Sequence, residues 1–151
     1  MSGHKMNIQI ACDDARLPGQ QQMAAWASIA MDAVGETGHN EITLRVVDEA
    51  ESARLNQRYR NKSEATNVLS FPFDDPPGVA TQILGDLVIC APVVEQQATE
   101  QGKALNDHWA HMIVHGVLHL RGYDHKQDTE ATKMEQLEKE ILDKIGIPDP
   151  Y

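Results

Sequence analysis

Basic residues are scarce in this chain: 13 Lys and Arg stand against 23 Asp and Glu over 151 residues, a formal net charge of -10. A phosphate backbone rewards clustered cations, so this balance argues against a large surface that holds nucleic acid by charge alone. Cysteine is scarcer still. Cys12 and Cys90 lie far apart and form no C-x-x-C pair, which disfavours a disulfide or metal role for either and points to two buried thiols in a reducing compartment. No uninterrupted apolar run approaches the ~20 residues that span a bilayer. The opening MSGHKMNIQI also lacks a basic region followed by an apolar stretch. The expectation is a soluble cytoplasmic protein without a membrane partner. Internal repeats and low-complexity tracts are absent too, and the length suits one domain spanning 1–151.

The charges that are present are unevenly distributed. Asp128, Glu130, Glu135, Glu138, Glu140 and Asp143 alternate with Lys133, Lys139 and Lys144 in the manner of a solvated helix face. Arg54, Arg58, Arg60 and Lys62, by contrast, fall within nine residues. A local basic patch on an acidic body is therefore compatible with the composition.

Hydrophobic periodicity divides the chain into strands and helices. Alternation over Asn7–Cys12 suits an early strand, and EITLRVVD (Glu41–Asp48), rich in β-branched residues, a second. TNVLSFPF and LGDLVIC (Leu84–Cys90) read as the third and fourth, separated by an exposed loop around DDPPG. Helical spacing spans about 18–34 and 49–59, the latter with Asp48 as N-cap, then 92–101, 106–120 and 128–145. This predicts one α+β domain: about four strands in a mixed sheet packed with helices. The 106–120 helix is apolar nearly all round, so it should be the central buried one.

That helix ends in HGVLHLRGYDH, from His115 to His125. Its spacing, H-x-x-x-H-x-x-G-x-x-H, is that of one class of zinc proteases. His115 and His119 lie about 40° apart around a helix axis and one turn apart along it, so both imidazoles can reach one ion. Gly122 permits a reversal that brings His125 back as a third nitrogen. Three neutral nitrogens with an open fourth position make a catalytic zinc arrangement. His108 and His111 read as polar neighbours, and Asp124 as a turn residue or an orienting group for an imidazole.

The proteases carry a glutamate beside the first histidine to move protons. Here Gly116 stands in its place, which weakens a peptidase reading. A glycine inside a helix costs about 1 kcal/mol relative to alanine, so close approach by backbone or substrate is expected there. Phosphodiester cleavage loses less without that glutamate, because a metal and an arginine can offset charge on the phosphoryl oxygens. Arg58, Arg60 and Lys62 lie just before the third strand, and a planar guanidinium there is suited to gripping a phosphate.

HGVLHLRGYDH, LNQRYRNKSEATNVLSFPF and LGDLVIC together resemble the YbeY family of metal-dependent endoribonucleases, the rRNA maturation factors. The resemblance extends to the WAHMIVHG lead-in and the DPY ending, and so over nearly the whole chain. It implies His115, His119 and His125 as metal ligands, usually for one Zn2+ with other divalent transition metals such as Ni2+ as alternatives, and Arg60 as the functional arginine. Ser63 and Ala65 stand where the family more commonly has aspartate and proline, and neither is a proposed ligand. The resemblance further implies a cytoplasmic endoribonuclease that cuts single-stranded RNA, not DNA. It also implies action in 16S rRNA 3′-end maturation and ribosome quality control, with the small ribosomal subunit and its assembly factors as partners. Two other readings stand beside it: a peptidase or esterase drawing its proton-transfer group from Glu64 or Asp86, and a non-enzymatic assembly factor with a structural metal.

Overall fold

The computed structural model describes all residues except 1–3, 14–15, 36–39 and 124–127. Chain order is β1 (Lys5–Ala11), α1 (Gln20–Ala33), β2 (Glu41–Val47), α2 (Glu49–Arg60), β3 (Val68–Pro72), β4 (Ile83–Cys90), α3 (Ala91–Glu100), α4 (Leu105–Leu120) and α5 (Asp128–Lys144). The four strands form one mixed sheet in the order β1-β2-β4-β3. β1, β2 and β4 run parallel, and β3 is antiparallel to β4 at the edge. This is the α+β architecture expected from the periodicity.

The sheet buries two faces unequally. On one side α1 and α4 pack on the strands, and α5 packs on α4. Met23, Trp26, Leu44, Leu87, Trp109 and Ile113 belong to the core between these layers. On the other side α2 leans on the sheet, over a smaller cluster of Val47, Leu69, Val88 and Cys90 supported by Leu55, Phe71 and, from α3, Val93. α4 is the expected central helix, with Trp109, Ile113, Val114, Val117 and Leu118 all at 0% exposure. Among the described residues no helix is long and apolar enough to cross a membrane. Neither cysteine is disulfide-bonded; Cys90 is buried and Cys12 half-buried.

The glycine of LGDLVIC has a structural reason. Between β2 and β4 the register steps from Glu41↔Ile83 to Ile42↔Gly85, a bulge that passes over Leu84. Gly85 takes φ +146°, and a Cβ there would lie 2.3 Å from the carbonyl oxygen of Phe71. Only glycine fits a strand this close to a neighbouring backbone.

β3 is an edge strand, so half of its main-chain groups have no ladder partner. The amide of Cys90 donates to the carbonyl of Asn67, and the amide of Phe73 to that of Leu84. Those bonds fix the ladder's parity: Leu69 and Phe71 turn their main-chain groups toward β4, while Val68, Ser70 and Pro72 turn theirs outward. Pro72 has no N–H to offer, and the amide of Val68 is taken by the Asn67 side chain at 2.7 Å. Ser70 therefore carries the outward-facing donor and acceptor at the middle of the strand.

Candidate metal centre and cleft

The site is assembled from the end of α2, the edge of β3 and the second half of α4. α2 begins at Asp48, whose side chain accepts from the Glu51 amide at 2.8 Å, the expected N-cap. It ends at Asn61, in the left-handed region at φ 56°, with the Lys62 amide returning to the Asn56 carbonyl. Two buried polar residues on α2 hold the chain beyond it. Asn56 donates to the Glu64 carbonyl at 2.7 Å, and Ser52 exchanges hydrogen bonds with the Thr66 main chain at 3.0 and 3.2 Å. These contacts tie the 61–67 connection to the helix, and so fix the last turn of α2, with Tyr59 and Arg60, beside β3.

A cleft of about 670 Å³ lies along the β3 edge, and Tyr59, Arg60, Asn67, Ser70, His115 and His119 are among its walls. The structure thus brings Arg60 into the same cavity as two of the three predicted ligands. No aspartate or glutamate is among the described residues that line it. His125 and Asp124 lie outside the described residues.

Across the cleft wall the histidines face each other. Nε2 of His115 and Nε2 of His119 are 3.0 Å apart. The opposite nitrogen of His115, Nδ1, is 2.6 Å from Oε1 of Glu138. An ionised carboxylate only accepts, so Nδ1 of His115 is the donor in that pair, and the other ring nitrogen, Nε2, is the one turned toward His119. The second oxygen of Glu138 accepts from His111 Nε2 at 2.8 Å and from the Tyr151 hydroxyl at 2.5 Å. Glu138 itself is wholly buried. Burial alone pushes its carboxyl up, but the hydrogen bonds from His111 and His115, the charge of His115 and the Tyr151 hydroxyl outweigh that and hold it at about 2. Burial, with the Glu138 carboxylate beside it, pushes the Tyr151 phenol well up. The tail is pinned over this group by Lys103, whose Nζ donates to the Pro150 carbonyl at 2.7 Å.

Two faces of this cluster can hold a cation. His111, His115 and Glu138 bring one ligand atom each within 4.8 Å of one another, a possible metal site on the buried side. On the cleft side, two imidazole nitrogens 3.0 Å apart are close enough for one ion at ~2.0–2.1 Å from each. The cleft side fits better. On the buried side both carboxylate oxygens already satisfy three donors at hydrogen-bond distance, as in the carboxylate–histidine pairs that orient metal-bound imidazoles.

Sequence reasoning misplaced Glu138. Read among the charges of a solvated helix face, it is instead at 0% exposure. The signal was the stripe it occupies: Met134, Glu138, Ile141 and Leu142 make the buried face of α5, so the carboxylate stands at an apolar position of the helical period. Tyr151 carried no comparable signal. His111 is the polar neighbour expected of it, and so is His108, whose Nε2 donates to Gln97 Oε1 at 3.0 Å. That same Gln97 oxygen accepts from Asn67 at 3.2 Å. Burial first, then the charges of His111 and Lys103, lower His108 to about 4.

Gly116 answers to packing. A Cβ there would lie 2.8 Å from Leu87 Cδ2 and 3.3 Å from Val68 Cγ2, while its carbonyl accepts from the Ser70 hydroxyl at 3.3 Å. Close approach there is by two side chains of the sheet, not by the backbone or substrate expected. A glutamate in its place would have to pass between them. Of the two acids considered for proton transfer in a peptidase, Glu64 is exposed on the connection after α2 and Asp86 lines a different cavity on the open face of the sheet.

Imidazoles from a buried helix, facing a guanidinium from the end of a second helix across one cleft, are an arrangement suited to a metal-dependent hydrolase. The comparisons narrow this class. A family model for endoribonuclease YbeY matches residues 7–146. Endoribonuclease YbeY of Colwellia psychrerythraea (strain 34H) is 47% identical over 150 residues, covering 98% of this chain and 97% of that one. The solution structure of TM1509 from Thermotoga maritima shares the fold, with a TM-score of 0.59 at 24% identity over 91% of this chain and 88% of that one. The chain belongs to the YbeY family.

Proposed function

We propose that this protein is a metal-dependent endoribonuclease that cleaves single-stranded RNA in the Arg60–His115–His119 cleft. The observation that carries the reading is the lining of that cleft: two facing imidazole nitrogens and a guanidinium, with no acidic side chain among the described residues that line it. On a chain of net charge -10, a cavity so lined is a local exception that admits a phosphodiester.

His115, His119 and His125 would hold the ion, with Zn2+ as the metal this all-imidazole set suits and Ni2+ as an alternative. When bound, such an ion supplies Lewis acidity toward a phosphodiester and activates water. Arg60 pairs with the phosphoryl oxygens and offsets the negative charge that grows on them during cleavage. Glu138 is a positioning residue. It holds the proton on His115 Nδ1 and so keeps the Nε2 lone pair toward the cleft. Arg58 and Lys62, outside the cleft lining, contribute to holding the RNA backbone.

The biological setting we propose is 16S rRNA 3′-end maturation and ribosome quality control in the cytoplasm, with the small ribosomal subunit and its assembly factors as partners. Family membership supports it, and so does the acidic body, since a bound partner would raise the effective concentration of RNA at a cleft whose surroundings attract it weakly.

Metal content and cleavage of a single-stranded RNA, measured on the same preparations, test the assignment. His115→Ala should lose both together. Arg60→Ala should keep its metal and lose about 100-fold or more in cleavage, the scale of removing one group that stabilises developing charge. Chelator should abolish activity and added Zn2+ restore it. Full nuclease activity in both variants would sink the assignment, and chelator-sensitive hydrolysis of casein without RNA cleavage would favour the peptidase.

A further inference from the structure

Tyr59 is 57% exposed, an unusual position for a large ring on the wall of a cleft. It directly precedes Arg60 in the last turn of α2. Its ring meets that of Phe71 from β3 edge-on, with centroids 5.1 Å apart and planes at 66°. The guanidinium of Arg58 lies over it, 5.4 Å from the centroid. Both rings line the cleft that holds Arg60 and the histidines, and both also line a second cavity of about 640 Å³ on the open face of the sheet, with Gln9 and Arg45 on its far side. Tyr59 and Phe71 therefore form the ridge over which any chain leaving the cleft toward the open face must pass.

We infer that Tyr59, backed by Phe71, is a stacking subsite for a nucleobase next to the scissile phosphate. The inference rests on the endoribonuclease reading and adds the device by which single strands are selected. In a duplex the faces of each base are covered by its neighbours, so only an unpaired base can lay its plane on a protein ring. Stacking is indifferent to base identity, which suits a nuclease that reads structure more than sequence. It also supplies affinity that does not depend on charge, which an acidic chain with few cations needs. Phe71 is fixed by strand pairing opposite Asp86, so it props the exposed ring without following the substrate. The Arg58 guanidinium, 5.4 Å from the centroid, shows that a face of this ring is open to a cationic or planar group.

The test uses the metal-loaded full chain and single-stranded oligoribonucleotides in which one abasic site is moved along the sequence. On intact RNA, Tyr59→Leu should weaken binding roughly 5- to 100-fold, the range of one lost base stack. Tyr59→Phe and Tyr59→Trp should stay near wild type, and metal content should not change in any of them. At one abasic position the gap between wild type and Tyr59→Leu should close. A 2-aminopurine placed at that position should be quenched by wild type in stopped flow before cleavage begins, and not by Tyr59→Leu. Equal binding by wild type and Tyr59→Leu, with RNA still cleaved, would overturn the stacking subsite alone. A gap that persists at every abasic position would show that the substitution disturbs the cleft's shape, or that the ring docks a protein, and would also overturn it. Wild type that neither binds nor cuts RNA would bring down the endoribonuclease reading itself.

Discussion

Glu138 commits both carboxylate oxygens to three donors, from α4 twice and from Tyr151 once, while sitting at 0% exposure. Its effect on the cleft is indirect and depends on charge as well as shape. A neutral amide of the same size still accepts a hydrogen bond from His115 Nδ1, but with less hold on the tautomer and less basicity passed to Nε2. Glu138→Gln should therefore weaken metal binding by about 10- to 100-fold, read by competition with a chromophoric chelator. His119→Ala, which removes a nitrogen on the cleft side, should weaken it further. The reverse order, with binding abolished in Glu138→Gln and retained in His119→Ala, would put the ion among His111, His115 and Glu138 instead.

Elements explain what single residues cannot, and α4 is the clearest instance. Gly116 is a poor helix residue by about 1 kcal/mol against alanine, yet alanine would bring its Cβ to 2.8 Å from Leu87. Overpacking of this kind costs about 1–3 kcal/mol, so Gly116→Ala should destabilise by about 1 kcal/mol net. In a Leu87→Val background, where both Leu87 methyl groups are gone and only Val68 Cγ2 at 3.3 Å must give way, the same change should become neutral or stabilising, by up to ~1 kcal/mol. Urea unfolding of the four proteins checks this reversal of sign, and a loss of equal size in both backgrounds would refute the packing account.

The elements were legible because each announces itself over many residues: α4 by its apolar surround, β2 by β-branched residues, α2 by Asp48. The pairing of His115 with His119 followed from helix geometry alone. What escaped is set by contacts distant in sequence. Glu138 lies 23 residues from His115, and its charge outweighed the apolar stripe around it. The β3 edge follows from strand order, which local patterning does not fix. Gly116 stands out in the sequence for the glutamate it replaces, whereas its neighbours Leu87 and Val68 belong to two strands distant in sequence.

The whole molecule answers to pH through one buried histidine. His108 is 2% exposed and held at about 4 against an ordinary 6.5, so the folded protein resists a proton that the unfolded chain accepts. Its contribution to stability is complete above pH 6.5, declines as pH falls below that, and has been lost by about pH 4. The span corresponds to roughly 3 kcal/mol. Urea unfolding at steps between pH 7.5 and 4.5 should show wild type losing stability more steeply than His108→Gln, and parallel curves would contradict the assignment. Rings and guanidinium stand on one side of the cleft and imidazoles on the other, with an edge strand as its floor. At Ser70 that floor is main chain, turned away from β4 and shared by every amino acid but proline. Side-chain scanning across β3 will therefore be blind to part of the binding surface. An amide-to-ester exchange at position 70, which removes a donor and leaves the side chain intact, is the substitution that reaches it.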